Sequence, residues 1–120
     1  MKLHHVAVIT GDMEKSIDFY CEVLGLEVNQ RFMAGDSDIA FLSTGNSLIE
    51  LIAPADLKGK EVEFNDNVHI AFEPEDIEAA FEKIKNAGVE LKTDLNKAGN
   101  ITYCHFKGPN GETLEIIKIK

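Results

Sequence analysis

The chain repeats itself, and this constrains its fold more than any local propensity does. His5-Val-Ala-Val is answered by His69-Ile-Ala-Phe at an offset of 64. Leu24-Gly25-Leu26 is answered by Ala87-Gly88-Val89 at an offset of 63, and Ser47-Leu-Ile-Glu50-Leu-Ile by Glu112-Thr-Leu-Glu115-Ile-Ile at 65. Any two amphipathic halves share an apolar pattern, but here a histidine and a glutamate recur with it. Each half therefore reads as one copy of the same supersecondary unit.

The elements of the unit follow from periodicity and punctuation. Residues 3–10 are mostly apolar and β-branched and stop at Gly11, which predicts a buried strand. Asp12 is a candidate N-cap. Met13, Ile17, Tyr20, Cys21 and Leu24 then fall at helical spacing, with Glu14, Lys15, Asp18 and Glu22 on the other side and Gly25 as the closing residue. Residues 26–33, 38–43 and 47–53 read as three short strands. Residues 54–66 are polar and broken and read as a linker. The plan then restarts with a strand over 67–73. Pro74 takes the first helical position, Glu75 and Asp76 sit where the helix dipole favours anions, and Ile77, Phe81 and Ile84 form the apolar stripe up to Gly88. Strands at 89–93, 101–107 and 112–119 complete it. The expected fold is α+β: two tandem βαβββ modules, about 1–53 and 67–120, in one domain of 120 residues.

Charge narrows the function. Twelve Lys and Arg stand against 21 Asp and Glu, a net charge of −9. Such a surface repels nucleic-acid backbones and anionic lipid, so the expected partner is a small molecule, with no nucleic acid and no membrane. No apolar run approaches the ~18–20 residues of a membrane span. The first residues lead straight into a strand pattern rather than a signal peptide, and Cys21 and Cys104 form no CxxC pair. The expectation is a cytoplasmic protein with reduced thiols.

Side chains alternate along a strand. His5, Ala7 and Ile9 share one face of the first strand and Val6 and Val8 the other. In the second half His69, Ala71 and Glu73 share a face, and Val68, Ile70 and Phe72 the helix-packing side. The small alanines leave room beside each histidine. Glu50 and Glu115 each interrupt an apolar strand, where a carboxylate is costly unless paired, hydrogen-bonded or bound to a cation. Two histidines and two carboxylates suit a first-row divalent ion with room for waters, so His5, Glu50, His69 and Glu115 are the candidate metal ligands. His4 falls outside the set, on the helix side or at a strand start near solvent, and its replacement is expected to leave the metal in place. His105 reads first as an ordinary strand histidine, otherwise as a contact to a ligand or substrate. Arg31, the sole arginine, reads as a surface ion pair or as a grip for a substrate anion. Phe41, Phe72 and Tyr103 read as core packing before pocket lining.

With these residues in view, the chain resembles the vicinal oxygen chelate superfamily, which includes glyoxalase I, methylmalonyl-CoA epimerase, fosfomycin-resistance enzymes and extradiol dioxygenases. The resemblance runs through the opening from His5 to Leu26, Leu48-Ile-Glu50-Leu, Val68-His69-Ile-Ala-Phe and Gly108-Pro-Asn-Gly-Glu-Thr-Leu-Glu115-Ile. It implies that the modules form an open, incomplete barrel around a metal held by His5, Glu50, His69 and Glu115. The ion would be Ni, Zn or Co, with Mn or Fe as further choices, and the protein a homodimer. Keeping both glutamates is most like glyoxalase I, a lactoylglutathione lyase. The resemblance thus implies a metal-dependent lyase or isomerase acting on a small α-oxygenated carbonyl compound or its thiol adduct. An ion there would polarise a carbonyl and stabilise the enediolate left by proton loss, with Glu50 and Glu115 as catalytic proton carriers. Where glyoxalase I holds glutathione with an Arg and an Asn, this chain has Ile9 and Ala53-Pro54-Ala55. An epimerase of an acyl-CoA thioester, a ring-cleaving dioxygenase and a non-enzymatic binding protein are the alternatives.

Overall fold

Asp12 and Asp76 start the two main helices in the same way. Each sits in extended geometry and accepts a hydrogen bond from the backbone N–H three residues on, Lys15 at 3.1 Å and Ala79 at 3.0 Å. This satisfies one of the donors a helix start leaves orphaned, an effect of about 1 kcal/mol. The computed structural model describes residues 1–120, which divide into two compact units, Met1–Glu63 and Phe64–Lys120.

The first unit comprises β1 (His5–Ile9), α1 (Met13–Asp18), a π-helical turn (Phe19–Val23), β2 (Glu27–Ala34), β3 (Ser37–Ser43) and β4 (Leu48–Pro54). Its four strands lie in the order β1-β4-β3-β2, with β1 parallel to β4 and the other pairs antiparallel. The second unit comprises β5 (Ile70–Phe72), α2 (Ile77–Asn86), β6 (Asn96–Ala98), β7 (Ile101–Lys107) and β8 (Thr113–Ile119), in the order β5-β8-β7-β6 with the same parallel first pair. The α+β class and the βαβββ repeat are therefore as expected, and each sheet is open, with two edge strands. Register makes the repeat quantitative: Ala7 stands opposite Glu50, and Ala71 opposite Glu115.

One face of each sheet is core. Val8, Ala40, Leu42, Ile49 and Leu51 are buried on that face in the first unit, and Leu114 and Ile116 in the second, where Ile77, Phe81 and Ile84 of α2 are also buried. Burial of such side chains contributes roughly 1.5–3 kcal/mol each. The alternate residues, Ala7, Glu50, Ala71 and Glu115, turn to the opposite face, as the strand parity requires.

Four local expectations are corrected. The helix after Asp12 does not run unbroken to Leu24 but widens into the π turn, which brings Phe19 into the core edge-on to the fully buried Tyr20. The second helix starts at Ile77 rather than Pro74, because Asp76 is the residue whose side chain caps it. The strand expected at 67–73 shrinks to three residues. The Asn65 side chain accepts the Asn67 N–H at 2.7 Å and Asp66 accepts the Thr113 hydroxyl at 2.6 Å, so the chain joins the sheet only at Ile70 and Val68 stays exposed. The strand expected at 89–93 is reduced to a single bridge at Leu91, and regular pairing moves to β6. There the N–H groups of Lys92 and Thr93 both donate to the His105 carbonyl, while the Thr93 hydroxyl takes the His105 N–H. Such doubled bonding cannot extend into a ladder.

Gly11 closes the first unit. Its carbonyl accepts the Gly59 N–H at 2.7 Å, and a Cβ on Gly11 would lie 2.1 Å from the Lys60 carbonyl oxygen. The start of the polar stretch 54–66 is thus tied to the end of β1.

Candidate metal centre

The open face of the first sheet carries a histidine–glutamate pair. His5 begins β1 and Glu50 sits at the middle of β4, its Oε1 3.3 Å from His5 Nε2. Phe41, the cross-strand partner of Glu50, meets the His5 ring edge-on at 5.3 Å and stacks on Phe32 at 6.1 Å. Phe41 is therefore half-buried beside the pair rather than part of the core. Glu50 is 16% exposed, so the pair lies at a partly desolvated surface where a carboxylate needs a partner.

The second sheet repeats the pair and adds to it. His69 precedes β5, and its Nε2 lies 2.9 Å from Oε1 of Glu115 on β8. His105, on β7, is the cross-strand partner of Glu115 and brings its own Nε2 to 3.6 Å from the same oxygen. The two rings meet edge-on at 5.2 Å, and Tyr103 lies against His105 at 5.4 Å. One ligand atom from each of His69, His105 and Glu115 lies within 4.8 Å of the others. The reading of His105 as an ordinary strand residue is corrected accordingly, since it stands at the His69–Glu115 pair, while Tyr103 is half-buried against the His105 ring. The signal was available, since Phe41 and His105 are 64 residues apart, the offset that relates His5 to His69.

The donor chemistry fits a divalent cation. Imidazole nitrogen and carboxylate oxygen at separations of 2.9–3.6 Å match neighbouring ligands on an ion with bonds of about 2.0–2.2 Å. His4 is exposed just ahead of β1, at a strand start near solvent as expected, and its Nδ1 lies 2.7 Å from Nδ1 of His5.

Arg31 is not at a histidine–glutamate pair. Its guanidinium bonds Asp38 through Nε and Nη2 and reaches Glu14 at 2.6 Å. The Asp38 bond first, then Glu14, pushes its pKa further up. It borders a cavity of about 550 Å³ lined also by Gly11, Met13, Met33 and Pro54, which holds neither His5 nor Glu50. Both cysteines are free, and no helix is long and apolar enough to cross a membrane.

Comparison with known proteins agrees with this architecture. The sequence model of the glyoxalase/bleomycin resistance protein/dioxygenase superfamily matches residues 2–116. A lactoylglutathione lyase of Neisseria meningitidis is 30% identical, with all of this chain and 92% of that protein covered. The glutathione transferase FosA of Serratia marcescens is 28% identical over 95% of this chain and 78% of its own length. Among solved structures, the trypanothione-dependent glyoxalase I of Leishmania major superposes with a TM-score of 0.83 at 21% identity, covering 98% of this chain and 86% of that one. That likeness establishes the fold.

Proposed function

Because the chain belongs to the glyoxalase/bleomycin resistance protein/dioxygenase superfamily, we propose that it is a metal-dependent isomerase or lyase of the glyoxalase type. Its substrate is a small α-oxygenated carbonyl compound or the thiol adduct of one. His5, Glu50, His69 and Glu115 hold the divalent ion, and the enzyme works as a homodimer in the cytoplasm.

One observation carries the reading. Both halves set an imidazole Nε2 against a glutamate Oε1, at 3.3 Å and 2.9 Å, on the open face of a sheet and at repeat-equivalent positions. Core packing does not call for such a pair twice. A bound ion of this kind supplies Lewis acidity toward a carbonyl oxygen. The chain's own residues do the rest. Glu50 and Glu115 are largely shielded from water, at 16% and 12% exposed, and rise from rigid central strands. A carboxylate so placed takes the proton from the carbon beside the carbonyl and returns it to the neighbouring carbon, so that the product is an isomer of the substrate. Ala7 and Ala71, opposite the glutamates, leave the space a substrate needs.

The thiol is a separate matter. Ile9 shares the face of His5 and is 37% exposed where glyoxalase I carries an arginine, so the hemithioacetals of methylglyoxal with several thiols belong in the assay, not only that with glutathione.

The test is elemental analysis of the purified protein beside Glu50→Gln and Glu115→Gln, followed by turnover of those hemithioacetals. The reading expects about one Ni, Co, Zn, Mn or Fe per site, loss or weakening in both variants, and isomerisation without oxygen uptake. Wild-type protein that binds none of these ions after reconstitution would sink it.

A further inference from the structure

The two half-sites differ at one repeat-equivalent position. Phe41 and His105 are each the cross-strand partner of the glutamate, so the first unit sets a phenyl ring beside Glu50 where the second sets an imidazole beside Glu115. A phenyl ring has no N–H to offer a carboxylate, and an imidazole has one. We infer that His105 is a positioning residue for Glu115: its Nε2–H donates to the carboxylate and fixes the orientation of that ligand and proton carrier. This role rests on the four-ligand reading, in which His5, Glu50, His69 and Glu115 hold the ion, and adds to it a residue that binds no metal itself.

The donor set leaves this task to His105. A histidine that ligates through Nε2 gives up the lone pair there and carries no hydrogen on that atom. His69 Nε2, 2.9 Å from Glu115 Oε1, therefore cannot both bind the ion and donate to the carboxylate. His105 Nε2 stands 3.6 Å from the same oxygen, the other ring nitrogen beside it. The two side chains face each other from fixed backbone: Cys104 and Phe106 flank His105, Leu114 and Ile116 flank Glu115, and all four are buried. The Thr93 hydroxyl accepts the His105 N–H at 2.9 Å, and the His105 carbonyl accepts the N–H groups of Lys92 and Thr93. The ring itself lies against Tyr103. Both side chains are largely shielded, at 28% and 12% exposed, which strengthens an N–H to carboxylate bond over one in open water. Carboxylates that ligate a metal are themselves held by such bonds, and losing one costs about 10–100-fold in metal affinity or activity.

Zinc(II) provides the test, with two readouts independent of turnover. Nitrogen-15 NMR of the histidine rings in the zinc-loaded wild type locates the hydrogen on each ring and needs no variant. Calorimetric titration of the metal-free protein with zinc then compares His105→Phe, which installs the residue the first unit carries, with His105→Gln, whose amide N–H can donate in place of the ring. The expected result is a hydrogen on Nε2 of His105 and none on Nε2 of His69. Zinc affinity should fall about tenfold in His105→Phe at unchanged stoichiometry and stay near wild type in His105→Gln. A His105 Nε2 without hydrogen in the zinc-loaded protein would overturn the inference and leave the four-ligand reading standing. Wild-type affinity in His105→Phe would do the same, as would equal losses in the two variants, which would assign the effect to packing. No zinc bound by wild type would overturn the four-ligand reading, and the role of His105 with it.

Discussion

Nδ1 of His4 lies 2.7 Å from Nδ1 of His5, whose other nitrogen faces Glu50. Only one hydrogen can lie between the two Nδ1 atoms. If His5 donates it, its Nε2 keeps the lone pair a metal requires, and His4 thereby sets the tautomer and ring orientation of a ligand. His4→Phe is therefore expected to weaken divalent-metal binding by about tenfold, the lower end for such supporting bonds. His4→Gln, whose amide oxygen can accept the same hydrogen, should bind nearly as wild type. Calorimetric titration of the metal-free protein checks this, and equal affinity in both variants would make His4 a bystander.

The course of this contact shows where sequence reading stops. Strand parity places His5 and Glu50 on one face correctly, because a period of two follows from backbone geometry alone. It says nothing of His4, which precedes β1 and turns its ring by its own torsions. The Asp12 cap and the recurrence of His5 as His69 and of Glu50 as Glu115 were legible because each is local or repeated, whereas the Ala7–Glu50 and Ala71–Glu115 registers needed the pairing of the strands. The π turn at Phe19–Val23 was not, since i→i+5 bonding leaves no mark in apolar spacing distinct from a helix. The displacement of β6 to 96–98 depends on Thr93 and Lys92 bonding a residue of β7, a tertiary event. His105 was visible as a residue, but its place beside Glu115 needed the pairing of β7 with β8.

Gly11→Ala is expected to destabilise the first unit. The added Cβ would lie 2.1 Å from the Lys60 carbonyl oxygen and 2.9 Å from that of Leu57, and both are backbone atoms that cannot rotate away. Relief requires residues 57–60 to move and endangers the bond from Gly59 N–H to the Gly11 carbonyl. Overpacking of this kind costs about 1–3 kcal/mol. Urea denaturation would read it as a lower midpoint at unchanged slope, and an unaltered midpoint would show that the loop yields freely.

Asp66 gives the second unit a defined acid sensitivity. The Thr113 hydroxyl first, then Lys92, holds its carboxyl below the usual aspartate range. A depressed folded-state pKa contributes stability that is present above the unfolded value of about 3.9 and is lost as pH falls through the lower folded value. Asp66→Asn should therefore be less stable than wild type at pH 6–7, with the difference shrinking as pH falls through the lowered folded-state value. Paired thermal melts across that range would test it, and a difference that persists at the acid end would assign the effect to packing instead.

The two thiols should react at very different rates. Cys104 is fully buried, and burial first, then Asp94, pushes its thiol pKa up. Cys21 is half-buried, and burial followed by Asp18, Glu22 and Glu27 raises its pKa as well. The thiolate is the reactive form, so both are slow at neutral pH, but only Cys21 has a path to solvent. Titration of the native protein with an aromatic disulfide reagent at pH 7.5 is expected to modify one thiol slowly and the second only on unfolding. Cys21→Ser should abolish the native-state reaction. Rapid modification of both cysteines in the folded protein would mean that β7 opens far more readily than its burial allows.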